Sequence, residues 1–582
     1  MRPTATCVIR KISLTIFQWC VVVTAFLMCF QVYAQTTALF EVKSARKLSA
    51  HETQVFDLLN QSNVLLGQGQ HDEAFKIANS AVSLAKSTKY RDVHAGALHG
   101  LGLVELKRGN DLVAEKLFRQ ALFLFEIEGN LPGQANLRLE LAAFAEKKGL
   151  LGDARRLVDS SDKFSESFGY KKGLLNTAVN RLTRSDGNTT AAKDKAEKIL
   201  ELARSENVPA IEGLALRKIG RSALEVGDYV AAQNNFDKAL EKAKASFDLE
   251  AQAYSLIALA ELTSEQNKHA KSLTLLTQAI ALADQGKFSD VSAYARLRSA
   301  DTHGALGNYQ LMKSTAQLAL GIFAANDQRM GKGSANETLG TAQWALGNRK
   351  AAELNYLEAI GFAGSAQSTV NEASARLKLA ALLRSVNTNA ARNEALMALE
   401  MYEQLGLKSR MGSALLELGR VQGATNNFPS AIQLFEQGRA IFASMSDKVG
   451  MAEADFNIAL CNRLANRPLA SEALLNEAIL VFRAAGKSGS EVTAQIELAN
   501  VLMLRGQNNK ADLVLKEALV TAKHHNQALL TVDILLSQSR LQEALGDPLN
   551  ATKLAQSALT MASNNGQMHK VAAAKQRLSD IR

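Results

Sequence analysis

Beyond residue 34 the chain has almost no cysteine. Of its 4 cysteines, Cys7, Cys20 and Cys29 fall inside that first stretch, and Cys461 stands alone after it. An internal disulfide in the remainder is therefore excluded. Proline is equally scarce, with 6 in 582 residues, and aromatics make up only 6%. With few helix breakers and 47% hydrophobic residues, rich in Ala and Leu, the composition excludes a disordered chain and points to ordered helices. After residue 34 no apolar run approaches transmembrane length. A long basic run is missing too: the net charge is +10, falling to +7 from Gln35 onward, and both signs are mixed throughout. Nothing there, and no basic strand interleaved with aromatics, marks a nucleic-acid partner.

The first 34 residues lack any acidic side chain. Arg2, Arg10 and Lys11 precede the apolar run 12–30, and Val32 and Ala34 occupy the small-residue positions before a cut ahead of Gln35. That order predicts a signal peptide over 1–34, followed by a short leader at 35–50. The 19-residue run is also long enough to span a bilayer, so an uncleaved anchor is the alternative. Both put the rest of the chain outside the cytosol. A large exported protein without disulfides suits a bacterial periplasm or cell envelope.

What the chain does have is a repeat. Gly69, Gly109, Gly149, Gly187, Gly227, Asn267, Gly307, Gly347, Asn387, Asn426, Asn466, Gly506 and Gly546 follow one another at steps of 40, with one step of 38 and one of 39. Gly and Asn are the residues that most readily take the left-handed conformation that ends a helix. Each of the thirteen thus marks a tight turn between two helices. Seven residues before the turn stands a small residue, as at Ser62, Gly102, Gly220, Ala260, Gly340 and Ala459. Others follow five residues after it (Ala74, Ala232, Ala352, Ser272, Ser471) and twelve after it (Ala81, Ala239, Ala359). Bulkier Phe118, Phe236, Tyr356 and Phe435 fill positions between them. Small residues at helical spacing let paired helices approach closely, and the large ones fill the gaps. Pro429, Pro468 and Pro548 each fall where a second helix opens.

Those small and aromatic positions, Gly340, Gly347, Ala352, Tyr356 and Ala359 among them, resemble the tetratricopeptide repeat. The period of 40 is similar to the longer-helix variety found in kinesin light chain and in the sensor region of a bacterial maltose-operon activator. The family's usual proline after the second helix is missing. The resemblance implies an all-α fold, an α-solenoid wound as a right-handed superhelix of about thirteen helix-turn-helix units over 51–565. The segment 566–582 reads as a terminal capping helix. The fourth unit, about 173–210, with Asn180 at a small position, and the ninth, with Ala391 one residue early, are the irregular ones.

Chemistry-bearing motifs are poor. "GKGS" at 331–334 and "GKS" at 486–488 lack the upstream glycine of a phosphate loop and fall between helical hairpins. His524 and His525 have no carboxylate at ligand spacing. Cys461, two residues after Ala459, reads as a buried small residue without a partner histidine. Trp344, four residues after Gly340, belongs either in the core or on a groove. No catalytic residue, metal ligand or cofactor follows from any of these. In the resembled family the first helix of each unit lines the concave surface, which directs attention to Arg217, Lys218, Arg221, Arg298, Asp301, Lys378, Arg384 and Arg420, and to Asn63, Asn457, Asn500 and Arg540. The basic excess between Arg217 and Arg420 suits an acidic peptide or a C-terminal carboxylate. The family's two-carboxylate clamp for chaperone tails has no matching set here.

The sequence reading is therefore a non-enzymatic exported scaffold or adaptor that binds a protein or extended peptide on its concave surface. The alternative is a ligand-binding sensory module acting with a separate output protein. Any membrane contact would come through the N-terminal segment. One consequence follows from the packing pattern alone. Ala359→Leu is expected to cost about 1–3 kcal/mol by overpacking. Hydrogen exchange should show the loosening confined to neighbouring units, because contacts in a stack of repeats are local.

Overall fold

A computed structural model describes residues 49–147, 151–167, 190–225, 227–326, 328–366, 368–525, 527–564 and 567–581. The expected signal segment, the expected leader up to residue 48, Gly149, Gly187 and the first helix expected for the fourth unit lie outside the described residues. The described residues form 26 α-helices and no strand; consecutive helices pack on one another from Ala50–Gly67 to Leu151–Ser167 and from Ser289–Ala305 to Met568–Asp580. None of those helices is long and apolar enough to cross a membrane. Their packing separates into two compact units. One holds the described residues up to Ile219 with Lys238–Gln252 and Gln285–Lys287; the other holds Gly220–Asp237, Ala253–Asp284 and the residues from Phe288 on.

The metronome is a 17-residue helix, seen for example at Arg329–Ala345 and Arg349–Ser365, separated by a three-residue turn. At the turn between these two, Gly347 has φ +82°. Its N–H donates to the Trp344 carbonyl, and the Asn348 N–H reaches back to the Gln343 carbonyl at 2.8 Å. Two of the last free carbonyls of the first helix are thereby satisfied. Asn348 then opens the next helix, its carbonyl accepting from the Ala352 N–H. Left-handed φ recurs at Gly69, Gly109, Gly227, Asn267, Gly307, Asn426, Asn466, Gly506 and Gly546. Asn387 is the exception, with φ −144°. The preceding helix stops at Leu383, and Asn387 instead caps the next one, its side chain accepting from the Ala390 N–H. That shift accounts for Ala391 arriving one residue early.

The two helices of a hairpin meet through the small positions. A Cβ at Gly340 would stand 2.6 Å from Tyr356 Cδ1, and Gly102, Gly220 and Gly419 stand in the same way under Phe118, Phe236 and Phe435. Where serine replaces alanine, its hydroxyl donates to the facing carbonyl: Ser62 to Ala74, Ser272 to Ala260, Ser471 to Ala459 and Ser539 to Ala551, all at 2.8–2.9 Å. These bonds exist only because the backbones are close enough for no larger side chain. In the second unit, consecutive first helices also touch one another, from Ser289–Ala305 through Arg329–Ala345 and Thr369–Leu383 to Met568–Asp580. No comparable contact joins consecutive second helices among the described residues. The first helices therefore occupy the inside of the curve.

The first unit contains a buried histidine. His99, on helix Arg91–Lys107, is only 4% exposed, lies edge-on to Phe118 at 5.6 Å, and has no hydrogen-bond partner at Nε2. Burial pushes its pKa down to about 4. The unfolded chain, with an ordinary histidine, takes up the proton first, so this contribution is intact above about pH 6.5 and lost as pH falls toward 4. The expected loss by pH 4 is roughly 3 kcal/mol. His99→Leu should flatten that part of the acid response, read by unfolding or hydrogen exchange of residues 91–128 across the same pH range.

Candidate functional site

On each first helix the residues about 13, 9 or 10, 6 and 3 places before the turn fall on one face, since they recur every three or four residues. In the second unit this inner face carries an ion-pair ladder from repeat to repeat. The Arg221 guanidinium pairs with Glu261, one repeat on. Glu261 also accepts from the Tyr294 hydroxyl at 3.1 Å. Arg298 sits over the Tyr294 ring at 5.2 Å and pairs with Asp301 at 3.2 Å. Asp301 accepts from the Thr338 hydroxyl of the following repeat at 3.0 Å. Lys378 pairs with Glu337 at 2.8 Å, and the Ser374 hydroxyl donates to the same oxygen.

Farther along, one carboxylate serves two cations. Glu417 accepts from Arg384 at 2.9 Å through one oxygen and from Arg420 at 3.2 Å through the other. Arg420 Nε also donates to the Asn457 side-chain oxygen at 3.1 Å. Glu417 is buried while both guanidiniums remain about a third exposed. Trp344 occupies the same register as Arg384, three places before its turn, and is half-exposed, so it is not a core residue.

The electrostatics favour the charged forms. Glu261 holds the Arg221 guanidinium above its usual range against the opposing effect of burial. Burial works against the charge of Lys378, and the Glu337 carboxylate overcomes it, raising the ammonium pKa. Burial opposes Arg298 in the same way, and Asp301 overcomes it. Tyr294 is pushed up by burial and by the Glu261 charge.

Of the sequence candidates, Arg221, Arg298, Asp301, Lys378, Arg384 and Arg420 join this ladder; Asn457 joins it as a buried acceptor. Arg217 and Lys218 are half-buried on helix Pro209–Glu225, and Arg217 lies in the field of Asp248. Asn63 and Asn500 are half-buried and Arg540 is exposed, outside the ladder. The basic excess is thus largely compensated by carboxylates of the same or adjacent repeats. Glu261, Glu337 and Glu417, the partners that sequence reasoning passed over, stand at the inner-face register, and that register was their only signal.

The remaining motifs are structural. "GKGS" lies within the first two turns of helix Arg329–Ala345, not between hairpins: a Cβ at Gly331 would overlap the Phe323 ring, and Gly333 faces the Ala359 carbonyl. In "GKS", Gly486 supplies a left-handed turn with φ +66°. Cys461 is buried, which pushes its thiol up to about 11. The His524 and His525 rings contact each other edge-on at 4.7 Å. Among the described residues, no group of three His, Cys, Asp or Glu side chains is placed to hold a metal ion.

Helical hairpins with a small residue under an aromatic ring, stacked with their first helices inward, settle the repeat type. The described residues fold as an all-α solenoid of hairpins that resembles the tetratricopeptide repeat. No family model and no curated protein matches it. Among solved structures it is similar to a Rap protein complexed with competence and sporulation factor, at 16% identity over 55% of this chain and 97% of that one, TM-score 0.37. It is also similar to a signal-transduction ATPase with a tetratricopeptide repeat sensor from Pyrococcus horikoshii (16% identity, 77% and 72% covered, TM-score 0.40). A third is a tetratricopeptide repeat protein from Parabacteroides merdae (16% identity, 49% and 97% covered, TM-score 0.34).

For this tetratricopeptide-like ladder, Glu417 is the critical member. Glu417→Ala is expected to cost about 1–2 kcal/mol, more than Arg384→Ala or Arg420→Ala, because it leaves two half-buried guanidiniums without their acceptor. Denaturant unfolding of the three variants checks the order.

Proposed function

We propose that the protein is a non-catalytic scaffold that binds an extended segment of a partner protein along the inner face of its second unit. The observation that carries this reading is the pair of guanidiniums sharing Glu417. Arg384 and Arg420 share Glu417, with Glu453 also in the field of Arg420, and both guanidiniums keep about a third of their surface exposed on the inner face, so N–H donors there stay open to a partner. An acidic side chain or a C-terminal carboxylate on the partner complements them, and bidentate contact with guanidinium gives orientation as well as attraction. The half-exposed Trp344 one repeat earlier offers a flat apolar contact in the same register.

The leader pattern, basic residues followed by an apolar run and small residues before Gln35, supports export to a bacterial cell envelope. The working partner is therefore sought there.

The test is a pull-down with the full chain from envelope extract, read by mass spectrometry, beside the variant Arg384→Ala/Arg420→Ala. A partner retained by the chain and reduced about tenfold or more with the double variant supports the reading, since losing charge-assisted contacts costs at least ~1.4 kcal/mol. A partner held equally by both forms overturns the proposed site. No enriched protein with either form overturns the scaffold reading in favour of a small-ligand module.

A further inference from the structure

Within the second unit the chain returns to itself. The tight turns at Asn267, Gly307 and Gly347, spaced by one repeat, meet positions near the connections between later repeats. Asn267 Nδ2 donates to the Gly486 carbonyl at 2.8 Å, 219 residues away, and Lys487 Nζ pairs with Glu265 at 2.6 Å. One repeat on, Gly307 lies against the Leu529 side chain; one further, Gly347 lies against Met568. Three successive rungs thus join two successive coils of this unit at the same register.

The first rung is built from side chains that the local turns do not need. Asn267 has φ +58°, a conformation that Gly supplies at the equivalent Gly227, Gly307 and Gly347. Asparagine tolerates it less easily than glycine and brings an amide, which here is used on the other coil. Lys487 immediately follows the left-handed Gly486 and reaches an acidic pair, Glu265 from the facing coil and Glu453 in its field, with Tyr229 also nearby. Burial opposes the Lys487 charge and Glu265 overcomes it, so the ammonium stays protonated.

We propose that the seam formed by Glu265, Asn267, Gly486 and Lys487 is a salt-sensitive clasp that holds consecutive coils of the second unit together and sets how far they open. Its polar rung is partly exposed, so dissolved ions weaken it, whereas the apolar packing inside each hairpin is insensitive to them. Raising ionic strength therefore loosens the coil spacing while leaving the helices intact.

Hydrogen exchange by mass spectrometry and small-angle X-ray scattering on the full chain test this. At low salt, segments 262–269 and 484–489 should be protected, and high salt should speed their exchange roughly two- to fivefold, the range of a partly exposed ion pair. The variant Asn267→Gly/Lys487→Gln keeps the left-handed turn and deletes both polar contacts. It should exchange fast at either salt concentration and show a larger radius of gyration with unchanged helix content. Glu265→Gln, which touches neither turn, should reproduce the loss of salt response. Protection and dimensions identical to the parent chain in both variants at low salt would overturn the clasp.

Discussion

Two helix backbones must come close enough that a glycine or alanine on one fits beneath a ring on the other. At Gly340 even a single added carbon would overlap Tyr356, and the serine hydroxyls that reach a facing carbonyl from Ser62, Ser272, Ser471 and Ser539 measure the same closeness elsewhere. This approach fixes the relative rotation of the helices in each hairpin. It also fixes which side of the first helix remains for anything else. The small positions face the second helix of the same hairpin, and other apolar positions face the preceding repeat. Only a narrow stripe is left for the inside of the curve.

That stripe is crowded, because first helices of the second unit touch their successors. Polar side chains placed there lose water and must find partners on the next repeat. The ladder from Arg221 to Asn457 is the result, and its members lie close to one repeat apart because the stripe repeats at that distance. Such pairs contribute little net stability, since desolvation offsets most of the attraction. What they do provide is register: each carboxylate selects the rotation at which its neighbour's cation reaches it. A ligand on this face therefore competes for an existing network of pairs, as around Glu417, where two guanidiniums share one carboxylate and stay partly exposed.

The turns within hairpins were legible because Gly or Asn stands at nearly every described position where the backbone takes left-handed φ. The turns between repeats use the same geometry, with Gly or Asn at Gly129, Asn207, Gly406 and Gly486 but not throughout. Phe247, Lys287 and Ser446 have φ of 53°, 55° and 58°, residue types that give no hint of it. Tertiary packing holds them there against a local penalty, which is how long-range context overrides residue preference. Asn387 shows the converse: its type suggested a left-handed turn, and its side chain serves as a helix cap instead. On the inner face, the cations were found by position in the repeat, but their partners were not. A carboxylate is common on any solvated helix, and only the pairing distance reveals that Glu417 is buried between two arginines. The seam at Asn267 was invisible for a stronger reason, since no sequence spacing announces a contact 219 residues away.

That contact changes how the second unit behaves as a material. A stack held only by neighbouring interfaces transmits a disturbance one repeat at a time. A seam adds a second route, from the turn at Asn267 directly to Gly486 and from Gly347 to Met568, across repeats that share no interface. The two routes differ in strength and in kind. Hairpin and stacking interfaces bury apolar surface and persist at any ionic strength, whereas the seam has one polar rung and two light apolar ones. Local unfolding therefore still begins and ends within adjacent repeats. Curvature is different: it is a soft variable, summed from small rotations at every interface, so a weak contact acting between distant repeats has long leverage over it. A repeat protein that binds on the inside of its curve depends on that variable, and the polar rung at Glu265 and Lys487 is where this chain exposes it to its surroundings.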